Sequence, residues 1–191
     1  VLQYDDTIRK NFGKQKYQDE IKHIISYQRR NHFIRKLTLD LKGNTLVLYN
    51  YVEKHGKPLY ENIKMHADEK RKIFFVSGNT ATSDREAIRM IVEKQKNSII
   101  VASLGTFSTG INIRNLHNIV FASPSKSQIR VLQSIGRGLR KTDDGKDTTL
   151  YDIVDDISWK SRKNYGILHA DERLRIYGRE KFMHKTYKVQ L

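Results

Sequence analysis

Ser98-Ile99-Ile100-Val101-Ala102, followed at once by Ser103-Leu104-Gly105, is the stretch that decides the fold. The apolar run is short and does not alternate, so it reads as a strand covered on both faces, the situation in a parallel sheet flanked by helices. Asn118-Ile119-Val120-Phe121-Ala122 repeats the pattern and runs into Ser123-Pro124-Ser125. Working outward, residues 45–49, 73–76 and 149–154 are further candidate strands. They end in Asn50, in Ser77-Gly78-Asn79 and in Asp155-Asp156. Segments of helical period separate them. The sequence therefore predicts an α/β fold: a parallel β-sheet with helices on both faces.

The helices carry their own signals. Ser83-Asp84-Arg85-Glu86 has the spacing of a capping box, and Ala87, Ile88, Ile91 and Val92 then share one stripe. Pro124 suits the first turn of a helix running through Gln128, Leu132 and Leu139. Residues 15–41 predict a helical lead-in with Ile21, Ile24, Ile25, Phe33, Ile34 and Leu37 facing inward and an interruption within 28–32. Residues 170–181 predict one more helix after the sheet. The organisation expected is a helical connector over 1–43, the sheet domain over 44–157 and a basic helical extension over 158–191.

Composition narrows the partners. The 191 residues, 38% of them apolar, suffice for one core with appendages. No apolar run approaches the roughly 18 to 20 residues of a membrane span and nothing resembles a signal peptide, which predicts a soluble intracellular protein. With no cysteine, disulfides, thiolate catalysis and Cys-based zinc sites are excluded. An opening at Val1 rather than Met predicts a portion upstream. The net charge of +15 predicts a polyanionic partner, nucleic acid ahead of an acidic membrane. The three stretches above carry net +5, +4 and +6, so the charge gathers on the flanks.

In open parallel sheets ligands gather at the carboxyl ends of the strands. Here those ends offer Asn50, Ser77, Gly78, Ser103 and Ser123. Such residues suit turns and caps by themselves, but their recurrence at one edge predicts a binding surface. Gly105-Thr106-Phe107-Ser108-Thr109-Gly110 has the two-glycine spacing of a phosphate loop, yet Ile111-Asn112 replaces the Lys and hydroxyl that should follow. An accessory contact through backbone amides and hydroxyls fits it better.

The most specific feature is Gln133-Ser134-Ile135-Gly136-Arg137-Gly138-Leu139-Arg140. At helical spacing Gln133, Arg137 and Arg140 lie four and then three apart, on one face. Two glycines inside a helix each cost about 1 kcal/mol relative to Ala, which predicts a close approach or an irregular backbone. A solvated basic face has no need of them.

Gln133-x-x-Gly136-Arg137-x-x-Arg140 resembles motif VI of superfamily-two helicases. Residues 100–112, ending Ser108-Thr109-Gly110-Ile111-Asn112, resemble motif V; Leu46-Val47-Leu48-Tyr49-Asn50 resembles motif IV, and Phe75-Val76-Ser77-Gly78 the strand end called IVa. Four motifs in order over 44–157 identify a second, C-terminal RecA-like domain. Within that superfamily the likeness is to the phage UvsW-type recombination and repair helicases, down to the acidic Asp152-x-x-Asp155-Asp156 strand end.

The resemblance implies an ATP-dependent helicase or translocase remodelling branched or duplex DNA, in the cytoplasm of a bacterial or phage-infected cell. Arg137 and Arg140 would contact the γ-phosphate of ATP, with Gln133 placing the nucleotide or its attacking water. Gly110, Asn112 and Gly136 would lie against the nucleotide; Asn112 stands where many relatives have Asp. Asn50, Ser77, Gly78, Ser103 and Thr109 would touch the nucleic-acid backbone.

No Gly-x-x-x-x-Gly-Lys-Ser/Thr and no Asp-Glu-x-His or Asp-Glu-Ala-Asp box occurs in these residues, so ATP and Mg2+ are expected to be bound mainly by an upstream RecA-like domain of the same polypeptide. The acidic strand end follows motif VI and reads as a polar strand end; with scattered histidines, no metal site is expected. Trp159-Lys160-Ser161-Arg162-Lys163-Asn164-Tyr165 interleaves aromatics with cations and suits either base stacking or a packed connector. Two other readings share some of these features: a nucleic-acid-binding RecA-like module without motor activity, and the motor part of a restriction-type translocase. Composition does not separate DNA from RNA.

Overall fold

The computed structural model describes residues 1–12, 15–108, 113, 115–124, 145 and 147–191. Five strands, β2 (Thr45–Tyr49), β3 (Ile73–Val76), β4 (Ile99–Ser103), β5 (Asn118–Phe121) and β6 (Thr149–Asp152), form one sheet in the order β3-β4-β2-β5-β6. All four pairings are parallel, with Thr45 opposite both Ile99 and Asn118.

The apolar runs are explained by burial on both sides. Along β2, Leu46 and Leu48 join a core with Ile100, Ala102, Ile119 and Phe121, while Val47 and Tyr49 join a second core with Ile99, Val101, Val120 and Ala122. Successive strand residues point to opposite faces, so a strand buried on both must be apolar throughout. The first core is closed by Val92 of α5 (Thr82–Lys94) and by Tyr177 of α7 (Tyr165–Arg179). The second is closed by Ile24 of α2 (Tyr17–Ser26), Ile34 of α3 (Gln28–Asp40) and Leu59 and Ile63 of α4 (Lys57–His66). The α/β architecture with helices on both faces is the one the sequence predicts.

Details differ for local reasons. The lead-in breaks at Tyr27 (φ −70°, ψ 112°), just before the predicted window, where its ring packs on those of Tyr4 and His23. The capping box does not form: Ala81 is the N-cap of α5, Ser83 lies inside the helix, and Glu86 turns to Arg89 instead. On the predicted stripe Val92 is buried, but Ile91 is partly exposed. The last helix starts at Tyr165 rather than 170 because Glu20 of α2 accepts hydrogen bonds from the Tyr165 and Gly166 amides (3.0 and 2.8 Å), satisfying helix-end donors from another element. Helix α4, which has Pro58 in its first turn, a π-helical turn at Val52–Gly56 and the short helices α1 (Asp6–Phe12) and α6 (Leu104–Ser108) were not among the expected elements.

The fifth strand ends at Asp152, two residues early. Asp155–Asp156 instead forms β7, which pairs with β1 (Leu2–Gln3), and β1 pairs with β8 (Val189–Gln190) in a small parallel sheet. At the amino edge of the main sheet, buried Asn44 donates to Gln95 O (2.8 Å) and Asn115 O (3.0 Å) and accepts from the Ser98 amide (2.8 Å). The turn into it uses Gly43 at φ +90°, where a Cβ would also meet the His117 ring at 2.5 Å. With that edge closed, the carboxyl edge is left for function. Among the described residues no helix is long and apolar enough to cross a membrane.

Candidate nucleic-acid and nucleotide edge

Parallel strands with short polar exits bring Asn50, Ser77, Ser103 and Ser123 to one edge of the sheet. Ser103 caps the helix that follows it: its Oγ accepts the Thr106 amide (3.2 Å) and lies 2.6 Å from Thr106 Oγ1. Ser77 builds a turn, its amide donating to Thr80 Oγ1 (3.0 Å) and its Oγ accepting the Asn79 amide (3.3 Å). Gly78 has open space where a Cβ would stand, and Arg85 ties the turn through Gly78 O (3.0 Å) and Thr80 O (2.8 Å). The turn is thus fixed by neighbours, while Gly78 leaves room for an approaching backbone. The Asn50 amide donates to Ser123 Oγ (3.0 Å), but its half-buried side chain has no hydrogen-bond partner among the described residues.

Beneath these residues lies a buried polar chain that the sequence did not reveal. His55, from the π-helical turn, sits 2.9 Å from Ser123 Oγ through Nδ1 and 3.3 Å from Asn31 Oδ1 through Nε2. A neutral ring carrying its proton on Nε2 satisfies both contacts, as acceptor from Ser123 and donor to Asn31. Burial first, and the nearby Arg30 charge second, push the His55 pKa from 6.5 down to about 3.

That depression makes stability pH-dependent. Below pH 6.5 the unfolded chain binds a proton that the folded ring refuses, so stability falls as pH drops from 6.5 toward 3. The slope is up to about 1.4 kcal/mol per pH unit, or about 2 kcal/mol between pH 6.5 and 5. We expect His55→Gln to remove this part of the acid loss. Urea unfolding of both proteins between pH 7 and 5 checks it, and parallel pH profiles would contradict it.

The acidic strand end has a different role from the one its exposed-looking sequence suggests. Asp155 is fully buried; its Oδ1 accepts from Arg30 Nε (2.7 Å) and Tyr4 OH (2.8 Å), while Arg30 Nη2 donates to Ala122 O (2.8 Å). Burial is the largest single influence and works against the Arg30 charge, but Asp155, through its charge and hydrogen bond, and Tyr4 together more than offset it and raise the pKa. Asp152 receives a two-pronged hydrogen bond from Arg173 (2.7 and 2.9 Å) and one from Tyr177 OH (2.8 Å). Asp152 and Asp155 therefore bolt α3, α7 and Tyr4, just past β1, to the end of β6, and the Asp155 carboxylate, with no exposed surface, is closed to a ligand. Among the described residues no group of three His, Asp or Glu side chains is placed to hold a metal ion.

Of the predicted site, Asn50, Ser77, Gly78 and Ser103 lie on this edge. Thr109, Gly110, Asn112, Gln133, Gly136, Arg137 and Arg140, with the helix expected after Pro124, lie outside the described residues. Trp159 closes a small loop through a paired Arg162, and the Arg9 guanidinium lies over its ring at 5.9 Å, which places it as a packed connector. A cleft of about 300 Å³ between Tyr4, Asp5, Asp6, Arg9 and Asp156 is lined by carboxylates, unsuited to a polyanion, and lies apart from the Ser and Asn exits.

Comparison with known proteins agrees with this geometry. The model of the "Helicase conserved C-terminal domain" family matches residues 28–142. The chain is 36% identical, over its whole length, to the ATP-dependent DNA helicase uvsW of Enterobacteria phage T4. It superposes on the crystal structure of T4 UvsW with a TM-score of 0.85 over 99% of its residues. It is 33% identical over 51% of its length to the putative ATP-dependent helicase IRC3 of Saccharomyces cerevisiae. It spans 40% of the phage relative and 16% of the yeast one. The RecA-like fold and the UvsW likeness expected from the motifs are both found.

Proposed function

We propose, since this chain belongs to the helicase conserved C-terminal domain family, that it is the second RecA-like motor lobe of an ATP-dependent DNA helicase or translocase that remodels branched or duplex DNA. The observation that carries the reading is the carboxyl edge, where small hydrogen-bond donors follow successive parallel strands. Such donors hold phosphates and sugars in register without reading bases. The similarity to a protein named as a DNA helicase favours DNA over RNA as the substrate.

ATP would sit between this lobe and an upstream RecA-like domain, with 1–43 as connector, 44–157 as the lobe and 158–191 packed on it. Arg137 and Arg140 would meet the γ-phosphate, Gln133 would orient the nucleotide or the water, and Gly110, Asn112 and Gly136 would line the nucleotide. Asn50, Ser77, Gly78, Ser103 and Thr109 would take the nucleic-acid backbone. With Asp152 and Asp155 occupied by arginines, the described donor set fits a share of a nucleotide site only. The carboxylate for Mg2+ and the phosphate-gripping lysine are assigned to the upstream lobe. The setting is the cytoplasm of a bacterial or phage-infected cell.

The 191-residue chain alone is expected to hydrolyse no ATP above background, yet to bind nucleic acid in a salt-sensitive, largely sequence-independent way. Steady-state hydrolysis and titration of labelled single and double strands over a range of salt test both. Multiple-turnover hydrolysis by the purified chain, or a flat salt dependence, would overturn the reading.

A further inference from the structure

Beyond α7 the chain doubles back and is held at two points. At the near end the Phe182 amide donates to Tyr177 O (2.9 Å), and the Phe182 ring packs on the core beside Tyr177. At the far end β8 pairs with β1, the Leu191 amide donating to Gln3 O (3.0 Å). Tyr177 bonds Asp152, and β1 also pairs with β7, so both anchors attach to residues at the exit of edge strand β6. The intervening Met183-His184-Lys185-Thr186-Tyr187-Lys188 therefore forms a strap from the core beside Tyr177 to the edge of β1.

This strap touches the body at few points: the Val1 amino group donates to Tyr187 O (2.5 Å), and the His184 ring stands 6.1 Å from that of Tyr177. All six residues are exposed, Met183 completely and Tyr187 to 68%, and none of their amides donates to another backbone group among the described residues. From Lys181 to Leu191 there is no carboxylate, and Lys181, Lys185 and Lys188 have no acidic partner among the described residues. Arg175 and Arg179 stand exposed on the last turns of the preceding helix. An exposed aromatic ring between cations, on a segment already fixed at both ends, loses little further freedom when a ligand arrives.

We propose that the strap is a contact for a single strand of nucleic acid, Tyr187 stacking on a base while Lys181, Lys185 and Lys188 meet phosphates. An unpaired base has a free face for the ring, and the sequence-tolerant pairing of aromatics with cations is the chemistry by which single strands are held. The proposal rests on the nucleic-acid reading above and adds a surface to it.

The test uses the 191-residue chain with a fluorescent oligothymidylate and a duplex of equal length. Tyr187→Ala is expected to weaken single-strand binding about tenfold and duplex binding far less, and Tyr187→Phe, which keeps the ring, to restore nearly all of it. Lys185→Ala with Lys188→Ala should make the slope of log K against log salt shallower by about 1.4, about 0.7 for each lost phosphate contact on a single strand. Melting curves should be unchanged for variants of such exposed side chains. Equal affinities for all variants, equal loss on both nucleic acids, failure of the Phe rescue, or tighter binding to phosphatidylserine vesicles than to the oligonucleotide would each overturn the strap contact. Retained binding with silent variants overturns the strap alone, whereas an unaltered chain that binds no nucleic acid at any salt overturns the domain reading with it.

Discussion

Arg137→Ala, made in the complete two-lobed protein, is expected to abolish most nucleic-acid-stimulated ATP hydrolysis while leaving fold and DNA binding nearly intact. In a helix the spacing of Gln133, Arg137 and Arg140 would put them on one face, and a guanidinium supplied across a domain interface would stabilise charge on a transferred phosphoryl group. Such arginines are worth roughly 10³ to 10⁵ in rate, far more than one lost phosphate contact on DNA. Arg140→Ala should behave similarly, and Arg137→Lys should rescue poorly because an ammonium lacks the planar fork. Steady-state hydrolysis at saturating DNA, beside a binding assay and a melting curve, measures it. Near-normal hydrolysis with lost DNA affinity would make this helix a nucleic-acid contact and refute its place at the nucleotide.

The second large effect is on stability and concerns Arg30, the fully buried cation beneath the edge. Arg30→Met leaves the buried Asp155 carboxylate without its counter-charge, and removing one partner of a buried ion pair costs about 3 to 5 kcal/mol. For a chain of this size each kcal/mol shifts the melting temperature by about 2 to 4 °C, so a fall of roughly 6 to 20 °C is expected. Replacing Asp155 as well, with Arg30→Met and Asp155→Leu together, should recover part of the loss. Urea unfolding of the single and double variants measures it; a single-variant loss below about 1 kcal/mol would show that the pair is not what bolts these elements together.

The sequence alone determined the sheet. A strand buried on two faces must be apolar throughout, so 45–49, 99–102 and 118–121 announce themselves in the chain, and the polar residue ending each one marks the carboxyl edge. Motif order named the family for the same reason: phosphate-contacting residues must sit at fixed distances from the strands that hold them. Tertiary structure alone decided what the charged residues do. Asp155 reads as one more polar strand end, and nothing in the neighbourhood of Arg30, 125 positions earlier, marks it as the partner; only docking of α3 on the sheet brings them within 2.7 Å. The same holds for Asp152 with Arg173, and for His55, whose neutrality comes from burial that no local pattern encodes. The two-residue strands β1, β7 and β8 are too short for a hydrophobic period to register, yet their pairing fixes the far end of the basic strap. Periodicity reports which residues face a core. Which charges meet inside it, and which are left facing a ligand, depends on contacts between segments far apart in the chain, and only the folded backbone sets those distances.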